Sequence, residues 1–220
     1  MVKAVNTLSE STYERLRADI IAGTLAPDSK LRIEELRKRY DISASPLREA
    51  LSRLSGSGLV VAEGQRGFAV APISVKDLDE ITHLRIMLEC EAMRQSIAHG
   101  DDDWEADLVA AFHRLSKLAN GSADDVTAFE RANQSFHEAL IEACDSSWLL
   151  RLRHTLYEQH RRYRMISLLE DDQDRDVHAE HEAIYQATLA RDAEAACKAT
   201  EDHIMRTAEL TRRSLAAAES

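Results

Sequence analysis

The stretch Ile42–Leu59 carries the strongest structural signal in the N-terminal part of the chain; it reads Ile-Ser-Ala-Ser-Pro-Leu-Arg-Glu-Ala-Leu-Ser-Arg-Leu-Ser-Gly-Ser-Gly-Leu. Its apolar residues recur at i, i+3, i+4 and i+7, the spacing of an amphipathic helix. Ser45 is a favourable N-cap, Pro46 suits the first turn, and the glycines that follow predict the helix end. The opposite face is short, basic and rich in hydroxyl groups, which suits contacts to phosphates and base edges. An ordinary solvated helix would show a similar face, so the neighbouring elements must decide between the two interpretations.

The totals of the 220-residue chain predict a globular protein, with 44% hydrophobic and 30% charged residues. No apolar run approaches the length of a membrane span, and the N-terminus lacks the pattern of a secretory signal. The three cysteines are widely spaced and form no CxxC motif, which is typical of buried thiols in a reducing compartment. We therefore expect a cytoplasmic protein that does not associate with membranes.

Charge divides the chain into two regions. Residues 1–72 carry 11 Lys and Arg against 9 Asp and Glu, a net charge of +2. Residues 73–220 carry 17 against 30, a net charge of −13, together with all nine histidines. This asymmetry predicts two domains with different partners, a slightly basic head at 1–72 and an acidic body at 73–220.

The elements around the opening stretch predict a winged helix-turn-helix. Upstream, Ser11 and Glu14 form a capping box that predicts the start of a first helix. A short second helix, Glu34–Tyr40, is followed closely by the Ser45 helix, which is the helix-turn-helix arrangement. Two strand-like apolar runs then flank a glycine-bracketed turn with Arg66 at its tip. An arginine there can enter a minor groove, whereas the alternative is an ordinary solvated turn.

The body shows helical periodicity throughout, with no strand pattern. Acidic first turns and two glycines separate the segments, so the sequence predicts a mainly α protein whose body is an antiparallel six-helix bundle. The six predicted helices span Ser74–His99, Asp101–Asn120, Ala123–Cys144, Ser146–Leu169, Asp174–Ala190 and Asp192–Ala218.

The head resembles the winged helix-turn-helix of GntR-type bacterial regulators. The resemblance covers Ile42–Leu54, Gly58-Leu59-Val60, Arg66-Gly67 and an upstream turn at Ile21–Pro27. The body is similar to the FCD effector domain of the FadR branch, and its six helices resemble the VanR subgroup. The matching body motifs are Leu84-Arg85-x-x-Leu88-Glu89, Asn133-x-x-Phe136-His137, Glu180-His181-x-x-Ile184 and His203-Ile204.

The resemblance implies which residues contact DNA. An arginine fork suits guanine O6 and N7, and small hydroxyls suit phosphates, so the chemistry agrees with the implied roles. Ala44 departs from the family, since many relatives have arginine there, and base preference is expected to differ. The implied contacts are Ser43, Ser45 and Arg48 in the helix-turn-helix, with Arg66 and Gly67 in the wing.

A second group of residues predicts a metal site in the body. Asn133 and His137 lie at i and i+4, so both project from one helix face, while His181 and His203 come from two further helices. Converging imidazoles can hold a divalent metal, and by resemblance this is the family's metal site. We expect zinc, with nickel or manganese as alternatives. The usual fourth ligand is aspartate, so Asn133 predicts a looser site or one without metal.

Arg85, in the first body helix, has two interpretations. A guanidinium that faces a cavity binds a carboxylate in bidentate fashion, and the family position implies such an effector contact. The alternative is an i,i+4 surface pair with Glu89. One of Arg162 or Arg164 is a further candidate for the cavity lining.

These observations predict a ligand-responsive transcription factor controlled by a small organic acid, and the resemblance implies a repressor that the acid releases from DNA. One short recognition helix reads few bases, so we expect a homodimer on double-stranded DNA with an inverted-repeat operator, its half-sites about one helical turn apart. The alternatives are a metal-sensing regulator and a helical-bundle enzyme that uses the same histidines. The second leaves the head unexplained and has no recognisable general base.

Overall fold

The computed structural model describes residues 8–64, 67–119, 126–167 and 175–218. The chain divides into two compact units: unit 1 contains Met1–Asp79, Tyr157–Glu170 and Thr211–Ser220, and unit 2 contains Glu80–Leu156 and Asp171–Leu210. The elements in chain order are α1 (Leu8–Ile21), β1 (Lys30–Leu31), α2 (Ile33–Tyr40), α3 (Ala44–Gly56), β2 (Val60–Ala62), β3 (Phe68–Val70), α4 (Val75–His99), α5 (Asp102–Ala119), α6 (Val126–Ala139), α7 (Ser147–Ser167), α8 (Val177–Leu189) and α9 (Ala193–Ala218).

Unit 1 contains the predicted helix-turn-helix and wing strands. Helices α2 and α3 are separated by a turn in which Asp41 has a left-handed backbone with φ of 54° and caps α2. Strand β3 lies between β1 and β2 in an antiparallel sheet, with Ala69 paired to Lys30 on one side and Val61 on the other. The α3 stripe is fully buried in an apolar core, which confirms its predicted orientation; the stripe is Leu47, Ala50, Leu51 and Leu54.

Two predicted helix starts are wrong, and one strand was not predicted. Helix α3 begins at Ala44 with Ser43 as its N-cap, so Ser45 lies inside the first turn. Proline is tolerated throughout a first turn, where backbone N–H groups have no helical partner, so Pro46 does not determine the start. Helix α1 begins at Leu8 rather than at the Ser11 capping box. Strand β1 has two residues, too few to show an alternating pattern.

The C-terminal end of α7 is part of unit 1. The Tyr163 hydroxyl donates to Asp77 Oδ2 at 2.6 Å and accepts from the Ser74 backbone N–H at 3.1 Å. Burial and the Asp77 carboxylate raise the pKa of this hydroxyl. The Arg162 guanidinium donates to the carbonyl oxygens of Ala71 and Pro72. Arg162 is therefore occupied by the segment that follows β3.

Unit 2 is mainly helical in its described residues and contains all or part of each of the six predicted body helices. Trp104 anchors its apolar core, since its indole N–H donates to the Ala139 carbonyl at 2.8 Å while the ring is buried. Helix α6 ends at Ala139, earlier than the predicted Cys144, because a series of turns follows it. Among the described helices, none has the length and apolar character needed to cross a bilayer.

Candidate nucleic-acid interface and metal centre

The exposed side of α3 presents the predicted DNA-contacting residues. Ser43, Ser45 and Arg48 are all exposed, and the first turn leaves backbone N–H groups available to an anion. Arg53, on the same helix, serves the head instead: its guanidinium bonds Glu10 at 2.7 Å and lies 4.1 Å from the centre of the Tyr13 ring. Arg48 is thus the arginine that α3 presents at its exposed N-terminal half.

The wing residues are described in part. Gly67 has a φ of 99°, a backbone conformation that favours glycine, and its carbonyl accepts from the Glu63 N–H at 2.8 Å. This bond continues the pairing of β2 with β3 toward the turn. Arg66, the predicted wing-tip contact, lies outside the described residues.

Three histidines from three helices converge in unit 2. His137 of α6, His181 of α8 and His203 of α9 are 2%, 1% and 6% exposed. Their ring centres are 4.7 to 5.4 Å apart, and one nitrogen from each ring lies within 4.8 Å of the others. This spacing is compatible with one divalent ion bound by neutral imidazoles. The structure therefore brings together the three predicted histidines in an arrangement that could hold a metal.

The protonation of His137 agrees with a ligand role. Burial, followed by the neighbouring His203 and His181, lowers the pKa of His137 well below its usual 6.5. The imidazole is therefore neutral near pH 7, which is the form that binds metals. Asn133, one turn earlier on α6, is 1% exposed.

A carboxylate outside the triad orients His203. Nδ1 of His203 donates to Glu180 Oε2 at 2.8 Å, which keeps the Nε2 lone pair available to an ion. Burial alone would raise the pKa of Glu180, but His203 and the Arg175 guanidinium hold it well below its usual range. Arg175 and Arg206 also bond Glu180, at 2.7 and 3.0 Å. No local sequence pattern predicts this support, because Glu180 directly precedes His181 and yet orients His203.

A buried ion-pair triad accompanies the histidines. Glu89 accepts from Arg85 Nε at 3.2 Å and pairs with Arg153 Nε at 2.9 Å, and each side chain is at most 6% exposed. Arg153 also donates to the His137 carbonyl at 3.3 Å. Arg85 therefore does pair with Glu89, but the predicted surface location of that pair is wrong.

Sequence reasoning did not identify Arg153. It named Arg162 or Arg164 as the further cavity arginine, and Arg162 bonds the backbone of unit 1 instead. A signal was available, because Arg153 lies four residues after Leu149 and three before Leu156, within the apolar stripe of α7. An arginine at such a position is expected to be buried and paired.

Two cavities flank α8 and reach the histidines. One, of about 440 Å³, is bordered by Phe129, His178 and His181, and the other, of about 410 Å³, by His203 and Arg206. Space of this size accommodates a small organic molecule.

Comparisons with known proteins identify both regions of the chain. The model of the gntR family of bacterial regulatory proteins matches residues 8–70, and the FCD domain model matches residues 80–206. The HTH-type transcriptional regulator BphR of Paraburkholderia xenovorans LB400 is 46% identical over 204 residues, covering 91% of this chain and 83% of its own length. The HTH-type transcriptional repressor GlaR of Escherichia coli K12 is 37% identical over 199 residues, covering 88% and 90%.

Solved structures share the fold. Escherichia coli McbR/YncC matches with a TM-score of 0.79 at 20% identity, covering 94% of this chain and 98% of its own. A GntR regulator from Rhodococcus sp. RHA1 matches with a TM-score of 0.72 at 24% identity, covering 92% and 96%. The families and relatives are transcriptional regulators and not enzymes, which excludes the helical-bundle enzyme. The chain belongs to the GntR family of bacterial transcriptional regulators, with a DNA-binding winged helix-turn-helix followed by an FCD domain.

Proposed function

We propose that the chain is a repressor whose head, residues 1–72, leaves its operator when residues 73–220 bind a small organic acid beside a divalent metal. Asn133, His137, His181 and His203 hold the metal, and Arg85 contacts the acid. The observation that carries this proposal is the convergence of three buried imidazoles from three helices, with donor atoms within 4.8 Å of one another.

The burial of so many polar groups supports a ligand-binding role. Arg85, Glu89 and Arg153 are 2% to 5% exposed, and burying ion pairs contributes little net stability compared with well-packed apolar residues. Clusters of buried ionisable groups are common at binding sites. When bound, a divalent ion supplies a fixed positive charge that attracts a carboxylate. The protein's residues orient that site, since Glu180 holds the His203 ring and Arg153 bonds the His137 backbone.

Thermal unfolding tests the receptor part of the proposal. The metal-free full chain is heated with zinc, nickel or manganese, each with and without acetate, succinate or benzoate. We expect a metal together with one of the acids to raise Tm by several degrees, because a ligand of the native state stabilises it. His181→Ala is expected to lose this shift, whereas His113→Ala, at an exposed position, keeps it. An equal shift in both variants would contradict the assignment.

We propose that Ser43, Ser45 and Arg48 contact the operator, with Arg66 and Gly67 in the wing. The exposure of the α3 residues and the basic head support this. Arg48→Ala is expected to weaken binding to a duplex selected from a random pool by about 5- to 150-fold, the value of one base contact. Arg94→Ala, an exposed arginine of the body, should change affinity by less than about 2-fold at fixed salt. Equal losses would contradict the interface.

We infer that two copies bind an inverted repeat, because one recognition helix reads too few bases for a specific site. Exposed apolar side chains on α4 and α7 offer a surface for self-association; they are Leu84, Met87, Trp148 and Leu152, each at least 48% exposed. Sedimentation of the wild type should give a dimer and of Met87→Glu a larger monomer fraction. A wild-type monomer, or a footprint without two-fold symmetry, would contradict this.

A metal-sensing regulator is the alternative, and the histidine triad itself favours considering it. In that case zinc alone would change operator affinity as much as zinc together with an acid does. Calorimetry and DNA titrations with zinc alone and with zinc plus each acid separate the two functions.

A further inference from the structure

Two of the three cysteines of the chain face each other within unit 2. Cys90 of α4 and Cys197 of α9 are 107 positions apart in the sequence, yet each sulfur contacts the backbone of the other residue. The Sγ of Cys90 lies 3.7 Å from the Cys197 carbonyl oxygen, and the Sγ of Cys197 lies 3.5 Å from the Cys90 carbonyl oxygen. Both cysteines are free thiols. These reciprocal contacts place two oxidisable sulfurs side by side between two helices.

The thiol pair lies beneath an exposed ion pair. The two cysteines are 8% and 5% exposed. Arg94, one turn after Cys90, pairs with Glu194 at 3.0 Å, and these side chains are 43% and 80% exposed. The Arg94 charge acts on both sulfurs, so it lies close to them. Cys144, by contrast, packs in the apolar core and donates to the Gln95 side-chain oxygen at 3.2 Å.

The surroundings give the two sulfurs different reactivities. A hydrogen bond from the Cys90 thiol lowers the pKa of Cys197 against the opposing effect of burial, and the positive charge of Arg94 acts in the same direction as the hydrogen bond. That hydrogen bond and burial raise the pKa of Cys90. Since the thiolate is the nucleophilic form of cysteine, Cys197 is the sulfur suited to attack an oxidant. Cys90 is the thiol placed to react with the product.

We propose that Cys90 and Cys197 form a redox-sensitive dithiol, which hydrogen peroxide converts to a disulfide that ties α4 to α9. The Cys197 thiolate attacks one peroxide oxygen, the O–O bond breaks and hydroxide leaves, which gives a sulfenic acid on Cys197. The Cys90 sulfur then attacks the sulfenic sulfur, the S–O bond breaks and water leaves. In total, two thiols and one hydrogen peroxide become one disulfide and two water molecules. A dithiol reductant restores the two thiols.

The disulfide restricts two helices that also carry parts of the proposed receptor site, a consequence that rests on the proposed function. Arg85 lies on α4, and His203 lies on α9. A bond of about 2.05 Å between the sulfurs fixes the spacing of the helices at this level. Movement of α4 against α9 on ligand binding is then restricted, so we expect the oxidised protein to respond less to the effector.

The first experiment needs no substitution. The reduced full chain is treated with hydrogen peroxide in native buffer, then denatured with excess N-ethylmaleimide and analysed by mass spectrometry. We expect one disulfide that joins Cys90 to Cys197, with maleimide on Cys144. Cys144→Ser, the matched control, should form the same disulfide. Peroxide treatment in guanidinium chloride should lose this selectivity, because it depends on the fold. Absence of the disulfide in native buffer, or equal modification of all three cysteines there, would overturn the proposal.

Single substitutions test which sulfur attacks the peroxide. In Cys90→Ser the sulfenic acid on Cys197 has lost the thiol beside it, so the sulfenic-acid reagent dimedone is expected to label Cys197. In Cys197→Ser, labelling of Cys90 should be at least about 10-fold slower, because its thiol is rarely ionised. Circular dichroism of each reduced variant verifies its fold. Faster labelling of Cys90 than of Cys197 would contradict the assigned roles.

Operator titrations test the consequence for the receptor. Reduced and peroxide-treated wild type are compared, each with and without zinc and the acid that raises its Tm. Oxidation is expected to decrease the ligand-induced change in operator affinity by at least about 3-fold, and reduction by dithiothreitol, followed by its removal, should restore it. Peroxide-treated Cys90→Ser, which lacks one sulfur of the bond, should keep the full change.

The outcomes separate this inference from the proposed function. If the disulfide forms but the ligand-induced change stays the same, the link between the dithiol and the receptor is wrong. If the reduced wild type shows no ligand-induced change, the proposed function is wrong, whereas mass spectrometry still decides whether the dithiol forms its disulfide.

Discussion

The head, residues 1–72, and the body, residues 73–220, which we call the receptor because we propose that it binds the effector, place their polar residues in opposite ways. In unit 1 the apolar side chains of α3 are buried at 0% exposure while Ser45 and Arg48 are exposed, so these polar groups remain hydrated. In unit 2 the polar groups are inside, where Arg85, Glu89, Arg153 and the three histidines depend on one another. A surface that reads DNA needs exposed charges on a rigid support, whereas a receptor needs buried charges that a ligand can complete.

Removing the shared carboxylate of the receptor should have the largest effect on stability. Glu89→Gln removes the carboxylate charge that pairs with buried Arg85 and Arg153, which is expected to lower the free energy of unfolding by about 3–5 kcal/mol. Chemical denaturation of the metal-free protein, followed by tryptophan fluorescence, measures this loss. Glu91→Gln, at an exposed position of α4, should cost less than about 0.5 kcal/mol. If both substitutions lowered the free energy of unfolding by similar amounts, the ion pairs of Glu89 with Arg85 and Arg153 would not contribute to stability.

Removing apolar volume from the head should have a somewhat smaller effect. Leu51→Ala empties a fully buried position of α3 and is expected to cost about 3 kcal/mol, a typical value for a buried leucine. Hydrogen exchange should show faster exchange in residues 8–70, with unit 2 unchanged. Ser52→Ala, on the exposed side of α3, serves as the control. Unchanged hydrogen exchange in the head would mean that the buried apolar residues of α3 do not stabilise it.

Lowering the pH should weaken the receptor more than the head. The pKa of His137 in the native state is well below 6.5, the usual value in the unfolded chain. When the pH falls below about 6.5, the unfolded chain therefore binds a proton on this imidazole that the native protein does not bind. The free energy of unfolding is therefore unaffected by this imidazole above about pH 6.5. It decreases as the pH falls below that value, by at most about 1.4 kcal/mol per pH unit for each such imidazole. His203, whose pKa is also lowered, acts in the same direction.

Denaturation of the metal-free protein between about pH 7.5 and 5.5 measures this slope. His137→Gln should reduce this slope, while Ser135→Ala, at an exposed position of the same helix, should not. An equal slope in wild type and His137→Gln would indicate that His137 is protonated in the native protein.

The head was the more predictable region because its signals are local. The α3 stripe and the two wing strands follow from spacing within a few residues, and the structure confirms them. The helix start was wrong because Ser43 and Ser45 are equally good caps, and Pro46 is compatible with both. The two-residue strand β1 forms by pairing with β3, which lies far from it in the sequence. A local sequence pattern does not predict such a long-range pairing.

The receptor was predictable only where motifs supplied long-range information. The convergence of His137, His181 and His203 was predicted from resemblance, since residues up to 66 positions apart have no common local pattern. Their supports were not predicted: Glu180 of α8 bonds His203 of α9, and Arg153 of α7 pairs with Glu89 of α4. Helix periodicity predicts which face of a helix is buried, but it does not predict which charged residues of other helices contact that face.

The most direct measurement is the operator affinity of the full chain with the receptor site empty and filled. Fluorescence anisotropy with a selected duplex, at fixed salt, compares protein without additions to protein with zinc and the acid that raises its Tm. We expect zinc and acid together to weaken wild-type binding by at least about 10-fold, and His137→Ala to lose this response. Operator affinity that stays the same on adding both, or a full response in His137→Ala, would contradict it.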